Sequence, residues 1–227
     1  MNLGTEQQIR SDDEAEADPA PTPIAPAAEI ARAVDILRRG GVVAIPTDTV
    51  YGLAASLDHP LAIERIFSIK GRSGTKAIPI LISDTSVLER LANDLSPAAR
   101  NLAEHYWPGA LTIVVDAAES VPEAIVRGGS TVGLRMPDNA DALAIINAAG
   151  GALAVTSANR SGGAEARSAD EVRIKLGNRV DFVVDGGPSP SAAPSTVVDS
   201  TVEPVRVLRH GSIESWRLMA TLQDRDE

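Results

Sequence analysis

The sequence predicts an α/β layered domain built on a mixed sheet, and three observations carry that prediction. Short apolar runs interleave with longer amphipathic stretches, the pattern of strands and helices stacked in layers. The short runs are apolar throughout instead of alternating, which marks strands buried on both faces. The last runs crowd together near the C-terminus, which favours a mixed sheet over a purely parallel one.

The first element is a helix from Glu29, where Ile30, Ala33, Val34 and Leu37 recur at helical spacing and Gly40-Gly41 follow two arginines. Residues 42–45 read as a buried strand, and Pro46, which has no N–H to donate, ends its ladder. Residues 47–52 read as a turn toward the next helix, with Gly52 freeing the backbone. Asp58 and Pro60 open that helix, and Ala62, Ile63, Ile66 and Phe67 make its inner face up to Lys70. A strand over 78–82 leads to helical patterns at 86–92 and 97–106. The first is opened by Ser86 with Glu89 three residues on, the second by Ser96 before Pro97. Strands follow at 111–115, 132–135 and 152–156, with a helix around 140–149 between the last two. A capping box, Ser168 to Glu171, opens a helix that Gly177 closes. Residues 182–184, 196–198 and 205–208 complete the strands, and a last amphipathic helix uses Ile213, Trp216 and Met219 or Ala220 before a charged end that frays. No internal repeat is visible.

Composition narrows the function classes. Aromatic residues make up 3% of the chain, so its core must come from Val, Ile, Leu and Ala. Residues 1–28 carry six acidic side chains against Arg10, hence −5 of the formal −10, in a run rich in Pro and Ala that reads as a disordered tail. The folded remainder is mildly acidic, which argues against a broad surface for nucleic-acid phosphates. No apolar run is long enough for a transmembrane helix, and the N-terminus lacks the pattern of a secretory signal. With zero cysteines, neither disulfides nor thiolate chemistry is available, and a cytoplasmic location is the simplest expectation.

Several motifs are absent. GRSGTK at 71–76 places a threonine between its second glycine and the lysine, so it is not a P-loop. No GxGxxG follows a strand, and GGSTVG at 128–133 misses the nucleophile-elbow spacing by one residue. The three histidines, at 59, 105 and 210, stand apart without a metal-binding motif and read as surface or cap positions. No protein metal site is expected.

Four polar segments lie at the ends of strands or helices, where they can line a crevice across the sheet: PTDTVYGL at 46–53, KGRSGTK at 70–76, TSANRSG at 156–162 and STVVD at 195–199. Each alone is also an ordinary turn or cap. Lys70 and Arg72 suit a solvated helix C-terminus, and together with Lys76 they also suit a polyphosphate. Ser157, Asn159, Ser195 and Thr196 are small donors and acceptors of the kind that bind a nucleotide and a small zwitterion.

With WPGALTIV at 107–114, TVGLRMP at 131–137 and VLRHG at 207–211, these segments occur in an order that resembles the YrdC-like family of L-threonylcarbamoyladenylate synthases, from about Ile30 to Gly211. The resemblance implies a single YrdC-like domain over 29–212, a twisted mixed sheet flanked by helices around a large concave, positively lined cavity, with 213–227 a C-terminal helix and tail. It implies condensation of L-threonine, bicarbonate and ATP, with Mg2+, to threonylcarbamoyl-AMP and pyrophosphate. A separate transferase complex then modifies tRNA. By the same resemblance Thr49, Arg135, Ser157 and Ser195 form the threonine set, and Arg72, Lys76, Thr131, Asn159, Arg167 and Arg209 the ATP set. Lys70 and Arg72 are the catalytic cations. The extra C-terminal domain of longer members is not expected in a chain of this length.

The chain departs from the family pattern at Ser73, Leu81 and His210, where relatives place proline, histidine and proline. Two other readings stay open: a nucleotide- or RNA-binding module of the same fold, with direct tRNA contact, and a paralogue that acts on another acyl or carbamoyl adenylate.

Overall fold

The computed structural model describes residues 25–71, 77–191 and 193–223. Among these, one mixed sheet contains β1 (Val43–Ile45), β2 (Gly52–Ser56), β3 (Ile80–Ile82), β4 (Leu111–Asp116), β5 (Thr131–Arg135), β6 (Ala152–Ser157), β7 (Phe182–Val183), β8 (Thr196–Asp199) and β9 (Arg206–Arg209). Their spatial order is β7-β1-β2-β6-β3-β5-β4-β8-β9. The pairs β1/β7, β3/β5 and β4/β8 are parallel and the others antiparallel. The helices are α1 (Ala27–Arg38), α2 (Pro60–Lys70), α3 (Leu88–Leu91), α4 (Pro97–Tyr106), α5 (Glu123–Val126), α6 (Ala140–Ala148), α7 (Ala169–Leu176) and α8 (Ser215–Gln223).

The strands are apolar throughout because each face of the sheet has its own core. Along β3, Ile80 and Ile82 enter one buried cluster with Ile63, Ile66 and Leu102, whereas Leu81 enters the other with Val34, Leu37 and Ile145. The first cluster lies under α2, α4, α5 and α7, the second under α1 and α6. Each fully buried Leu or Ile contributes about 1.5–3 kcal/mol by leaving water, so both layers are needed to hold the three-residue strands. Helices α1 and α6 cover their face over β7, β1, β2, β6 and β3. Farther along that face Thr131, Gly133, Val114 and Val197 are only half-buried. That partly open strip is where polar side chains converge.

Most predicted elements are found, with instructive differences. Residues 52–56, read as following a turn, form β2, antiparallel to β1 with Ile45 opposite Gly52. Its sequence GLAAS contains no β-branched residue, so burial between β1 and β6 overrides weak propensity. Gly52 is required there for space, not for a turn, because a Cβ would sit 2.5 Å from Val155 Cγ1. The folded part begins before Glu29: Ala25 is buried, its N–H donates to Asp141 Oδ1 at 2.8 Å, and α1 starts at Ala27. Asp84, not Ser86, supplies the cap ahead of α3, accepting from Ser86 N at 2.7 Å. Ser96 caps α4 and Ser168 caps α7 as expected, but the return bond from Glu171 goes to Arg167 N instead of Ser168 N. Helix α8 buries Leu218, while Trp216 is 66% exposed. The short α5 was not foreseen. Among the described residues no helix is long and apolar enough to cross a membrane.

Candidate active site

A cleft of about 160 Å³ opens beside the half-covered face of the sheet, at the ends of β5 and β6 and the starts of β2, β4 and β8. Gly52, Leu81, Arg135, Val155 and Ser157 line it. The register explains their meeting: Leu81 neighbours Arg135, Gly52 lies opposite Ser157, and Val155 is two residues back on the same face. Thr49 comes from the β1–β2 connection, Thr112 from β4, and Ser195 and Arg209 from either side of the β8–β9 pair.

Arg135 is the buried cation of the cleft, at 5% exposure. Its Nη2 pairs with Asp48 Oδ1 at 2.6 Å, Nη1 donates to Thr49 Oγ1 at 3.0 Å and Nε donates to Gly109 O at 2.8 Å. Burial pulls the guanidinium pKa down and the neighbouring Asp48 carboxylate opposes that shift. Thr47 Oγ1 donates to Val50 O at 2.6 Å, which spends its proton. In the 3.0 Å contact between the two hydroxyls Thr49 is therefore the donor, and its lone pairs are left for Arg135. Three of the five guanidinium N–H groups are used in this way, and two remain without a partner among the described residues.

Arg209 donates from Nε and Nη2 to Ser195 O at 3.1 and 2.9 Å, and from Nη2 to Ser195 Oγ at 2.9 Å. Ser195 Oγ also lies 2.8 Å from Thr112 Oγ1. Arg209 is exposed as a whole residue, but its head reaches into the cleft. Desolvation there lowers its pKa, Glu165 opposes the shift and the like charge of Arg135 adds to it. Gly211 permits this turn, because a Cβ would collide with the backbone of Pro194 and Ser195.

Lys70 is not a solvated helix cap. It is 4% exposed, and its Nζ donates to Ser157 O at 2.6 Å, Asn159 O at 3.1 Å and Asn159 Oδ1 at 2.8 Å. Gly71, at φ 59°, lets the chain leave α2 in the left-handed conformation. Asn159 Oδ1 also accepts from Ser157 Oγ at 2.8 Å, and its Nδ2 donates to Gly163 O at 2.6 Å. Lys70 and Asn159 thus hold the 157–163 turn from behind, and Ser157 faces the cleft with its proton spent and its lone pairs available.

Of the residues singled out from sequence, the structure brings Thr49, Arg135, Ser157, Ser195 and Arg209 to one cleft, with Lys70 and Asn159 behind it. Thr131 is outside the lining, about 13 Å along β5 from Arg135 but on the same face. Arg167 is exposed and is held by its backbone N–H to Glu171 Oε2 at 3.2 Å. Arg72, Lys76 and Ser73 lie outside the described residues. His59 Nε2 is 2.9 Å from Arg38 O, and His210 Nδ1 is 2.9 Å from Ser215 Oγ. Sequence reasoning did not assign Asp48, Tyr51, Thr112 or Glu165 to the site. Tyr51 is fully buried, its hydroxyl donates to Gly187 O at 2.7 Å, and burial raises its pKa to about 12, so it stays protonated at neutral pH. Asp48 and Thr112 lie inside motifs already noted, whereas nothing in the local sequence marks Glu165.

A family model for the Sua5, YciO and YrdC proteins, described as telomere recombination, matches residues 35–211. The chain belongs to the Sua5/YciO/YrdC family. It is 36% identical over 195 residues to the threonylcarbamoyl-AMP synthase of Bacillus subtilis, a match covering 86% of this chain and 56% of that protein. It is likewise 36% identical over 193 residues to a putative threonylcarbamoyl-AMP synthase of Mycobacterium tuberculosis, covering 85% of this chain and 88% of the relative. The crystal structure of Pyrococcus abyssi Sua5 complexed with L-threonine superposes with a TM-score of 0.83 at 36% identity, over 85% of this chain and 57% of that one. The chain thus spans little more than half of two of these Sua5/YciO/YrdC proteins and most of the third.

Proposed function

We propose that this chain is an L-threonylcarbamoyladenylate synthase, which joins L-threonine, bicarbonate and ATP into threonylcarbamoyl-AMP and pyrophosphate for a tRNA-modifying transferase complex. The observation that carries the reading is Arg135, a buried guanidinium braced by Asp48 and Thr49, with two N–H groups unspent beside the hydroxyls of Ser157 and Ser195. A planar fork of this kind suits a carboxylate. The small cleft suits an amino acid, and Val50, Leu81 and Val155 offer its side chain an apolar wall. The complex of the Pyrococcus abyssi relative with L-threonine supports that assignment.

In this reading the threonine ammonium first gives up one proton to solvent, the free amine attacks the carbon of bicarbonate, and hydroxide leaves as water with a second proton from the nitrogen. The carbamate oxygen then attacks the α-phosphorus of ATP and pyrophosphate departs. No covalent protein intermediate is required. The protein's task is to hold the reactants in line and to stabilise charge on the phosphates with preplaced cations. Arg209 is poised for this beside Ser195, and the segment carrying Arg72 and Lys76 directly precedes Ala77, which lines the cleft. The nucleotide would lie over the half-covered strip of β5, β4 and β8, from Arg135 past the flat Gly133 toward Thr131. Mg2+ is assigned to the ATP phosphates, as part of the substrate, where it would share their charge.

The test is to incubate the protein with ATP, Mg2+, bicarbonate and L-threonine and detect threonylcarbamoyl-AMP by mass spectrometry, with serine and valine replacing threonine in parallel. Product with threonine that falls on the order of a hundredfold in Arg72→Ala or Arg135→Ala supports the reading. ATP binding without any adenylate product overturns it.

A further inference from the structure

Among the described residues, three charged side chains line the cleft: Arg135, Arg209 and Glu165. Arg135 is already neutralised by Asp48 at 2.6 Å. Arg209 feels Glu165 as its opposing charge, but no hydrogen bond or ion pair engages the Glu165 carboxylate among the described residues. The carboxylate nevertheless projects from fixed backbone. Lys175 Nζ donates to Glu165 O at 2.8 Å, and the neighbouring Ala166, fully buried, accepts from Tyr51 N at 2.9 Å through its carbonyl. Lys175 is drawn to Glu171 at 2.7 Å, which leaves the Glu165 side chain unclaimed among the described residues.

An unpartnered carboxylate in a cleft otherwise equipped for anions opposes the binding of a simple anion. Its presence is explained when the ligand also carries a cation. Ser157 Oγ, whose proton goes to Asn159, presents acceptor lone pairs to the same cleft. The cleft therefore combines donors, on Arg135 and Arg209, with acceptors, on Ser157 and Glu165, which is the complement of a zwitterion.

We propose that Glu165 is a specificity-determining residue that receives the α-ammonium of the amino-acid substrate, while Arg135 receives its carboxylate. This rests on the reading of the cleft as the amino-acid site. It predicts that the protein rejects hydroxy acids of the same shape, since these would leave the Glu165 carboxylate desolvated and unpaired.

The experiment is calorimetric titration of the full chain with L-threonine and with 2,3-dihydroxybutanoate of the same configuration, in which a hydroxyl replaces the ammonium. The wild-type protein is expected to prefer L-threonine by about tenfold to a hundredfold, the range of a charge-assisted hydrogen bond. Glu165→Gln is expected to bind the two ligands within about threefold, with affinity for a non-hydrolysable ATP analogue retained, and Glu165→Asp to recover part of the preference. Undiminished preference in Glu165→Gln overturns the role of Glu165 alone, and so does an equal loss for both ligands. Failure of the wild-type protein to bind either ligand overturns the amino-acid site itself, and this assignment with it.

Discussion

Replacing Asp48 with asparagine isolates the charge that keeps Arg135 in place. Asparagine retains an oxygen for Arg135 Nη2 and for Asp138 N, which donate to Asp48 Oδ1 at 2.6 and 3.2 Å, so shape and hydrogen-bond count barely change. What disappears is the negative charge opposite a guanidinium whose side chain is 7% exposed, in a pair whose acid is 13% exposed. Removing one partner of a buried pair costs about 3–5 kcal/mol, and the retained acceptor places this substitution near the lower end. For a chain of 227 residues each kcal/mol moves the melting temperature by about 2–4 °C, so a drop of about 6–12 °C is expected. Thermal and urea unfolding of Asp48→Asn, Arg135→Met and the double variant close a thermodynamic cycle, and a coupling of at least about 2 kcal/mol is expected. If the proposed function holds, the KM for L-threonine should rise in Asp48→Asn more than the KM for ATP. An Asp48→Asn protein within about 1 kcal/mol of wild type, together with additive single effects, would refute the argument that Arg135 depends on Asp48.

Three further outcomes follow from the same structure. Lys70→Met keeps the stem but strips Ser157 O, Asn159 O and Asn159 Oδ1 of the ammonium, so unfolding free energy should fall by about 2 kcal/mol or more along with synthase activity. Activity lost at unchanged stability would instead mean that Lys70 acts on the nucleotide directly. Gly52→Ala puts a Cβ 2.5 Å from Val155 Cγ1 and should cost about 1–3 kcal/mol with weakened L-threonine binding, and adding Val155→Ala should restore both. A double variant no better than Gly52→Ala would exclude this contact as the cause. The hydrogen bond from Arg65, helped by Val42 N, holds the Asp181 carboxyl below its ordinary pKa, although burial opposes the shift. Its contribution is therefore complete well above the unfolded value of about 3.9 and is lost progressively as pH falls through that value toward the lower folded one. Urea unfolding between pH 6 and 3 should show a shallower acid loss in Asp181→Asn, and identical slopes would contradict the pairing.

Helices were legible because their evidence is local. The spacing of Ile63, Ile66 and Phe67, the Ser96-Pro97 start and the glycines after Lys70 and Leu176 act within a turn or two of chain. The strands were legible as buried segments but not as partners. With Ile80 and Ile82 facing one core and Leu81 the other, both faces are apolar, and the alternation that would announce register is silent. The same silence hid β2, whose small residues pair with β1 and β6 without any propensity of their own.

By itself the sequence determined the layered α/β class, the core composition, the absence of thiol chemistry and, through its ordered motifs, the family, and it singled out Thr49, Arg135, Ser157, Ser195 and Arg209 among the cleft residues. Tertiary structure alone decided which groups are charged partners and which are free to meet a ligand. Asp48 and Arg135 are 87 positions apart, as are Lys70 and Ser157, and each pair meets only because the sheet brings those strand ends together. Burial then converts Lys70 from a solvated cap into a brace for the turn after β6, and leaves Glu165, unmarked in the sequence, as a carboxylate facing the cleft. The cause is physical: solvation and pairing depend on what surrounds a charge in space, and residues distant in the chain supply those surroundings.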